Sequence, residues 1–492
     1  MLLLVRDGTI GKLERIVPGH RQMLFNSLIF FIFLPIVFAG YWWIGERRWQ
    51  NAWLLVASYV FYGWWDWRFL FLIMGCSAIN FWAGGFIART DVKWKRRAAL
   101  ISCVVVCIGA LCVFKYYNFF AESLCALFGW NPASITFKIV LPVGISFFTF
   151  QALSYTIDIA LGKLTPTKSW IEYFTFIAFF PQLVAGPIER AANLLPQFQK
   201  DRRFDYDAAL HGLCLMAYGL FKKMVVADTL ASYVDNVFYM PELYSSVTCI
   251  LGAIFFSLQI YCDFSGYSDV ARGVARLFGF ELMVNFNRPY LSKSFGEFWH
   301  KWHISLSTWF RDYVYIPLGG SRVTLARWIC NTMVVFLLSG LWHGAAWTFV
   351  IWGGIHGIFL VVEGLRKKLL NNVTDRTPSR LGMVLRILWI DVCVAFAWIF
   401  FRAGSFAELS RYFKVLFSGR FQTSSTALFA ALGPMYFLFC ILSVALLALS
   451  YIFPRDCRFV TNRAKCLYVL GCMSVIVLFA GPSGGEFIYF QF

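Results

Sequence analysis

Two histidines offer this chain its clearest chemistry. His343 lies in Leu338-Ser339-Gly340-Leu341-Trp342-His343-Gly344-Ala345-Ala346-Trp347, with apolar runs on both sides. His303 lies forty residues earlier on a Trp-rich amphipathic stretch. An ionisable side chain at membrane depth is costly, so one that persists there is a functional hypothesis by default. A neutral imidazole can take the proton of a hydroxyl as that hydroxyl attacks a carbonyl, a role that contributes ~10²–10⁴-fold to rate. Gly340, Gly344, Ala345 and Ala346 let helices approach closely or leave room for a substrate chain. The expectation is that the two imidazoles meet inside the bilayer and work on one reaction. The competing readings are structural: a helix-packing His343 bonded to a backbone carbonyl, and a hydrogen-bonded interfacial His303. His356, in Gly353-Gly354-Ile355-His356-Gly357, is a weaker candidate for the same role.

The elements that would carry these residues follow from periodicity. Read as one helix, Glu297 to Arg311 places Trp299, His303, Leu306 and Phe310 on one face, with Lys301, Thr308 and Asp312 elsewhere and His300 offset by nearly a turn. The spacing Glu297-x-x-His300-x-x-His303 invites a metal reading, but it holds one carboxylate and Lys301 sits between the histidines, so no metal site is expected. A span from Val247 to Tyr261 runs into Cys262-Asp263-Phe264-Ser265-Gly266-Tyr267-Ser268-Asp269. Two carboxylates at the end of a span must face protein, water or ligand. Gly481-Pro482-Ser483-Gly484-Gly485 matches the nucleophile-elbow pattern formally, but it follows a membrane span rather than a strand and reads as a turn. No phosphate-binding or dinucleotide-binding glycine motif occurs.

Composition sets the environment. Of 492 residues, 59% are hydrophobic and 14% charged, a balance that suits a polytopic membrane protein and not a soluble domain. The net charge of +18 would suggest nucleic acid in a soluble chain. Here the cations cluster in short loops between apolar runs, as in cytoplasmic loops facing lipid head groups, and no nucleic-acid partner is expected. Fourteen cysteines show no CxxC spacing, and Cys103, Cys107, Cys112, Cys249, Cys330, Cys393, Cys440 and Cys472 lie within apolar runs. They read as small buried hydrophobes.

Residues 1–22, with Arg6, Asp7, Lys12, Glu14, Arg15 and Arg21, are out of character, and Met23 is the expected natural start, the leader being a misassigned extension. Apolar runs follow from Met23 to Trp43, then to Trp64, with a break at Asp66 and Arg68, and then to Ile87. Ala98 to Phe114 crosses outward and Ile139 to Leu161 crosses back, which puts both basic loops in the cytoplasm. Trp170 to Leu183 is short and ends in Ala185-Gly186-Pro187-Ile188-Glu189-Arg190, a re-entrant or broken helix lining a cavity. Lys200, Arg202, Arg203, Lys222 and Lys223 bracket a stretch expected along the cytoplasmic interface. Beyond the central region come a basic loop (Arg366, Lys367, Lys368, Arg376, Arg380) and runs at Val384–Phe401, Tyr436–Phe453 and Cys466–Ala480. The expectation is an all-α polytopic membrane protein of ten to twelve spans, with residues 23–492 forming one domain.

Four segments in order, Phe180 to Arg190, Asp263 to Asp269, Phe298 to Thr308 with Trp309, and Trp342-His343-Gly344, resemble the membrane-bound O-acyltransferase (MBOAT) superfamily. The resemblance is closest to the branch that acts in alginate O-acetylation and teichoic-acid D-alanylation. Met23-Leu24-Phe25-Asn26-Ser27 and Phe487-Ile488-Tyr489-Phe490-Gln491-Phe492 are similar to the alginate-type members. The resemblance implies a ring of transmembrane helices around a thinned centre with a cytoplasmic funnel. It maps the catalytic histidine to His343 and the second motif histidine to His303. It places Trp342, Asp263, Ser265, Tyr267, Asp269, Trp299, Trp302 and Arg311 near the substrates. It further implies acetyl-CoA as donor substrate with no permanently bound cofactor, a bacterial inner-membrane location, and a periplasmic or membrane-anchored SGNH-type acetyltransferase as partner. Lys200, Arg202, Arg203, Lys222 and Lys223 would then be candidates for the CoA phosphates, against ordinary lipid contact. The alternatives are D-alanyl transfer to a teichoic acid by the same fold, and a polysaccharide or lipid transporter without chemistry.

Overall fold

The computed structural model describes residues 23–184, 186–369, 379–420, 433–454, 459, 461–480 and 487–488. The leader 1–22, Ala185, Arg376, the turn Gly481–Gly485 and the terminal Tyr489–Phe492 lie outside the described residues. Helices begin where a short polar side chain can take an orphaned amide. Ser27 accepts from the Phe30 amide and opens α1 (Leu28–Trp43), which is followed by α2 (Arg47–Asp66) and α3 (Arg68–Arg89). The expected break between the last two is a single residue wide, with Arg68 paired to Asp66 at 2.5 Å.

α4 (Lys93–Leu111) passes through a π-turn at Cys112–Tyr116 into α5 (Tyr117–Phe128), one apolar rod of 36 residues. The predicted crossing at Ala98–Phe114 therefore runs on to Phe128. α6 (Ile145–Ala160) returns. The short run ends at the Gly-Pro segment as expected, with α9 (Ala191–Phe198) beyond it, but it is itself divided by an unexpected kink at Phe179 into α7 (Trp170–Ala178) and α8 (Phe180–Leu183).

The interfacial reading of the next stretch is overturned. α10 (Tyr206–Leu220), a π-turn at Phe221–Ala227 and α11 (Asp228–Tyr239) form a 34-residue rod that is mostly buried and apolar enough to cross a bilayer. Its charges had looked like loop cations because their partners are distant in sequence. It lies against α12 (Ser246–Leu277), a continuous helix of 32 residues, so Asp263 and Asp269 sit within a span and not at its end. Paired glycines allow the contact: a Cβ at Gly219 would meet the Gly266 carbonyl at 2.5 Å, and one at Gly266 the Gly219 carbonyl at 2.7 Å.

After α12 come the short α13 (Phe295–Lys301) and α14 (Ile304–Phe310), then α15 (Leu325–His343), α16 (Trp347–Leu369), α17 (Arg380–Arg402), α18 (Phe406–Leu416), α19 (Pro434–Ser450) and α20 (Asn462–Phe479). Among the described residues, eight helical stretches are long and apolar enough to span a membrane, and α1 and α19 are shorter apolar helices. Leu28, Trp43, Val477 and Leu478 are exposed on the outside, where hydrocarbon replaces water. Cys103, Cys107, Cys249 and Cys440 are buried as expected, whereas Cys112 and Cys330 are exposed on the apolar exterior.

Candidate active site

The single helix predicted from Glu297 to Arg311 is two. α13 stops at Lys301, Trp302 is extended, and His303 adopts a left-handed backbone with φ of 42° before α14 begins. The cause is an inserted loop. The Asn287 amide donates to the Lys301 carbonyl (3.0 Å), and the Ile304 amide donates to the Asn285 carbonyl (2.9 Å), so the groups released by the break find partners there. Asn285 Oδ1 also accepts from the Ser305 hydroxyl at 2.7 Å, and Ser305 Oγ accepts from the Ile188 amide at 3.0 Å. This junction ties the break to the Gly-Pro segment. A non-glycine residue in the left-handed region, held by surrounding structure, is a feature that clusters at functional sites.

The break aims His303 inward, where it is fully buried. His343 is the last residue of α15 and is also buried. The two imidazole centroids lie 6.0 Å apart with their planes at 56°. Aromatic rings complete the surroundings. Phe264 stands 4.7 Å from His303, and Trp342 and Trp352 each stand 5.0 Å from His343, with Phe401 at 5.5 Å. The two imidazoles are thus brought near one another inside a buried aromatic shell.

The remaining predicted residues divide. Trp342 is in the site, 5.8 Å from the His303 ring. Trp302 and Trp299 form a layer behind it, Trp302 on Phe286 and Trp398, and Trp299 on Trp352 and His356. His356 is separated from His343 by Trp352, which lies 5.0 Å from each ring. Asp263, Ser265 and Asp269 hold buried lysines. Lys223 bridges Asp263 and Asp228 at 2.7 Å each, and Lys222 meets Asp269 at 2.5 Å and Ser265 at 2.9 Å. Lys222 and Lys223 are consequently not surface cations at a cytoplasmic mouth. Tyr267 reaches Asn26 with its hydroxyl and stacks its ring near Phe487. Arg311 points outward, more than half exposed, against Asp312. Glu297 pairs with Lys301 at 2.6 Å and His300 is exposed, so neither joins His303.

Three features of the neighbourhood escaped the sequence reading. Lys115 donates to the carbonyls of Trp342 (2.7 Å) and His343 (3.2 Å), and the Tyr116 hydroxyl donates to the Leu341 carbonyl (3.0 Å). A lone charge in the run from Ala98 to Ala121 was the available signal. Asn285 carried none. Glu189 is fully buried beside the Gly-Pro turn, accepting from the Asn193 amide group at 2.7 Å and from the Met283 amide. Burial pushes its carboxyl up to about 7, against those hydrogen bonds.

Comparison with known proteins decides the family. A model of MBOAT, the membrane-bound O-acyltransferase family, matches residues 163–403, from the segment before the Gly-Pro turn to the end of α17. A "probable alginate O-acetylase AlgI" of Pseudomonas aeruginosa is 41% identical over 82% of this chain and 76% of its own. The chain belongs to the membrane-bound O-acyltransferase family. Within that family it is also 34% identical to a peptidoglycan O-acetyltransferase of Helicobacter pylori, over 80% of this chain and 79% of that one. A teichoic acid D-alanyltransferase of Bacillus subtilis is 29% identical over 54% of this chain and 69% of its own. As a family member the chain is a multi-pass membrane O-acyltransferase, and both histidines fall within the matched region.

Proposed function

We propose that the chain passes an acetyl group from acetyl-CoA, on the cytosolic side of a bacterial inner membrane, to an acceptor hydroxyl presented from outside. The acetyl group would end on an extracellular or cell-wall polysaccharide of alginate-like kind. The observation that carries this reading is the meeting of His303 and His343, 6.0 Å apart in a buried aromatic setting. The acceptor hydroxyl attacks the thioester carbonyl while His343 takes its proton. The tetrahedral intermediate collapses, the carbon–sulfur bond breaks, and the thiolate leaves with the proton that His343 returns. His303 orients the acceptor or donates to the carbonyl oxygen as charge builds there. Acetyl-CoA is a substrate, and no resident cofactor enters the scheme. Lys200 and Arg203 are exposed and remain candidates for the CoA phosphates.

The relatives named for alginate and peptidoglycan O-acetylation support a polymer acceptor outside the cell. A separate periplasmic or membrane-anchored SGNH-type acetyltransferase would then hand the acetyl group to the polymer. His343→Ala, folded and present at normal level, should leave the polymer unacetylated; normal acetylation in that strain refutes the assignment. The likeness to a D-alanyltransferase supports a second donor class, a D-alanyl carrier protein. Labelled acetyl-CoA and a labelled D-alanyl carrier, offered to the same membranes, separate the two.

A further inference from the structure

The carbonyls of a helix's last turn have no amide ahead of them within the helix. For α15 this matters, because His343 is its final residue. Gly344 then leaves the helix in extended conformation, its own amide donating back to the Gly340 carbonyl at 3.4 Å. The carbonyls of Leu341, Trp342 and His343 are served from another span. Lys115 takes two of them and Tyr116 the third.

Lys115 lies within the 36-residue apolar rod, beyond the middle of its π-turn, and makes no ion pair among the described residues. Its ammonium lies 5.9 Å from the Trp342 ring centroid and 6.0 Å from that of Tyr116. A cation at this place faces the negative end of the α15 dipole, and its hydrogen bonds go to the two residues that carry the site. The π-turn widens the backbone where both side chains leave it, and such turns recur at functional positions.

We propose that Lys115, with Tyr116 beside it, is a positioning residue for acyl transfer. It clamps the last turn of α15 and so fixes the point from which the His343 imidazole reaches its proton. The proposal rests on the reading of His343 as the base. A catalytic group displaced by an ångström can lose ~10²-fold in rate, while substrate binding elsewhere is untouched.

The test uses membranes of the native host containing the full acetylation system, with labelled acetyl-CoA and initial rates. Lys115→Met, Lys115→Arg, Tyr116→Phe and His343→Gln are compared, each checked for folding by size-exclusion chromatography. Lys115→Met should lower kcat by about tenfold or more with KM for acetyl-CoA within about twofold, and Lys115→Arg, which keeps the donors, should restore most of it. A Lys115→Met enzyme with unchanged kcat, a loss confined to KM, or an arginine variant no better than methionine overturns the clamp. If Lys115→Met does not fold, Tyr116→Phe decides: a lower kcat at constant KM supports the clamp and an unchanged kcat overturns it. An inert His343→Gln beside a normal Lys115→Met sinks the clamp alone. An active His343→Gln sinks the base assignment instead.

Discussion

Two buried polar clusters sit within this membrane protein, and they are built on opposite plans. Along α10–α12, Lys222, Lys223, Asp228, Asp263, Asp269 and Arg272 are matched cation to anion, with Lys223 held between two carboxylates at 2.7 Å. Around α13–α15 the two imidazoles lie among rings, and the cation nearest the His343 backbone, Lys115, is spent on carbonyls. The first plan removes charge from the bilayer by compensation and fixes how two long spans meet. The second sets two imidazoles side by side among rings and backbone carbonyls, without carboxylates among the contacts named above. Burial of a titratable group alone therefore does not tell the two clusters apart; the manner of compensation does.

The contrast can be broken by substitution. The largest effect belongs to His343→Gln, expected to cost ~10²–10⁴-fold in acetyl transfer with an unchanged melting temperature. Lys223→Met should do the reverse, destabilising the fold by about 3–5 kcal/mol because two buried carboxylates lose their cation. Folded yield and thermal melting in detergent would expose that loss, and a stable Lys223→Met would end the structural reading of the ionic cluster. His303→Ala and His303→Asn should both lose activity. Asparagine should nonetheless melt higher, by roughly 1 kcal/mol, since it tolerates the left-handed backbone better than alanine.

Glu189 sharpens the comparison through pH. Its carboxyl is raised from 4.5 to about 7 by burial, so the folded chain holds that proton more tightly than the unfolded one. Its contribution is full at low pH and is lost as pH climbs from about 4.5 to about 7. Glu189→Gln should flatten that decline in a melting series across the same range. A wild-type melting temperature that rises with pH there would contradict the assignment. Arg311→Ala, exposed and paired only with its neighbour among the described residues, should keep activity within about twofold.

The sequence made some of this legible. The breaks near Asp66 and at the Gly-Pro segment and the helical run of the chain followed from apolar periodicity and from where polar residues interrupt it, and the meeting of His303 with His343 from two ionisable groups set in apolar segments. The interruption at His303 did not, because Glu297 to Arg311 has unbroken helical spacing and the break is imposed by Asn285 and Asn287 from a separate loop. The burial of Lys222 and Lys223 was hidden for a related reason. A lysine looks like a loop cation until the aspartates forty residues onward are folded against it. Long-range partners, not local propensity, separated the correct expectations from the corrected ones.

The three π-turns among the described residues, at Cys112–Tyr116, Phe221–Ala227 and Arg311–Tyr315, add a consequence of their own. Each carries surplus chain in one widened loop of helix, and every residue beyond it is rotated by ~100° for each extra residue relative to an unbroken helix. Deleting one residue at Cys112 would let the rod heal into a regular helix that still spans the bilayer. Lys115 and Tyr116 would swing away from the end of α15 together. The placement of the last turn of α15 thus depends on the length of a distant span, so a shortened rod could keep its place in the membrane and still misplace His343.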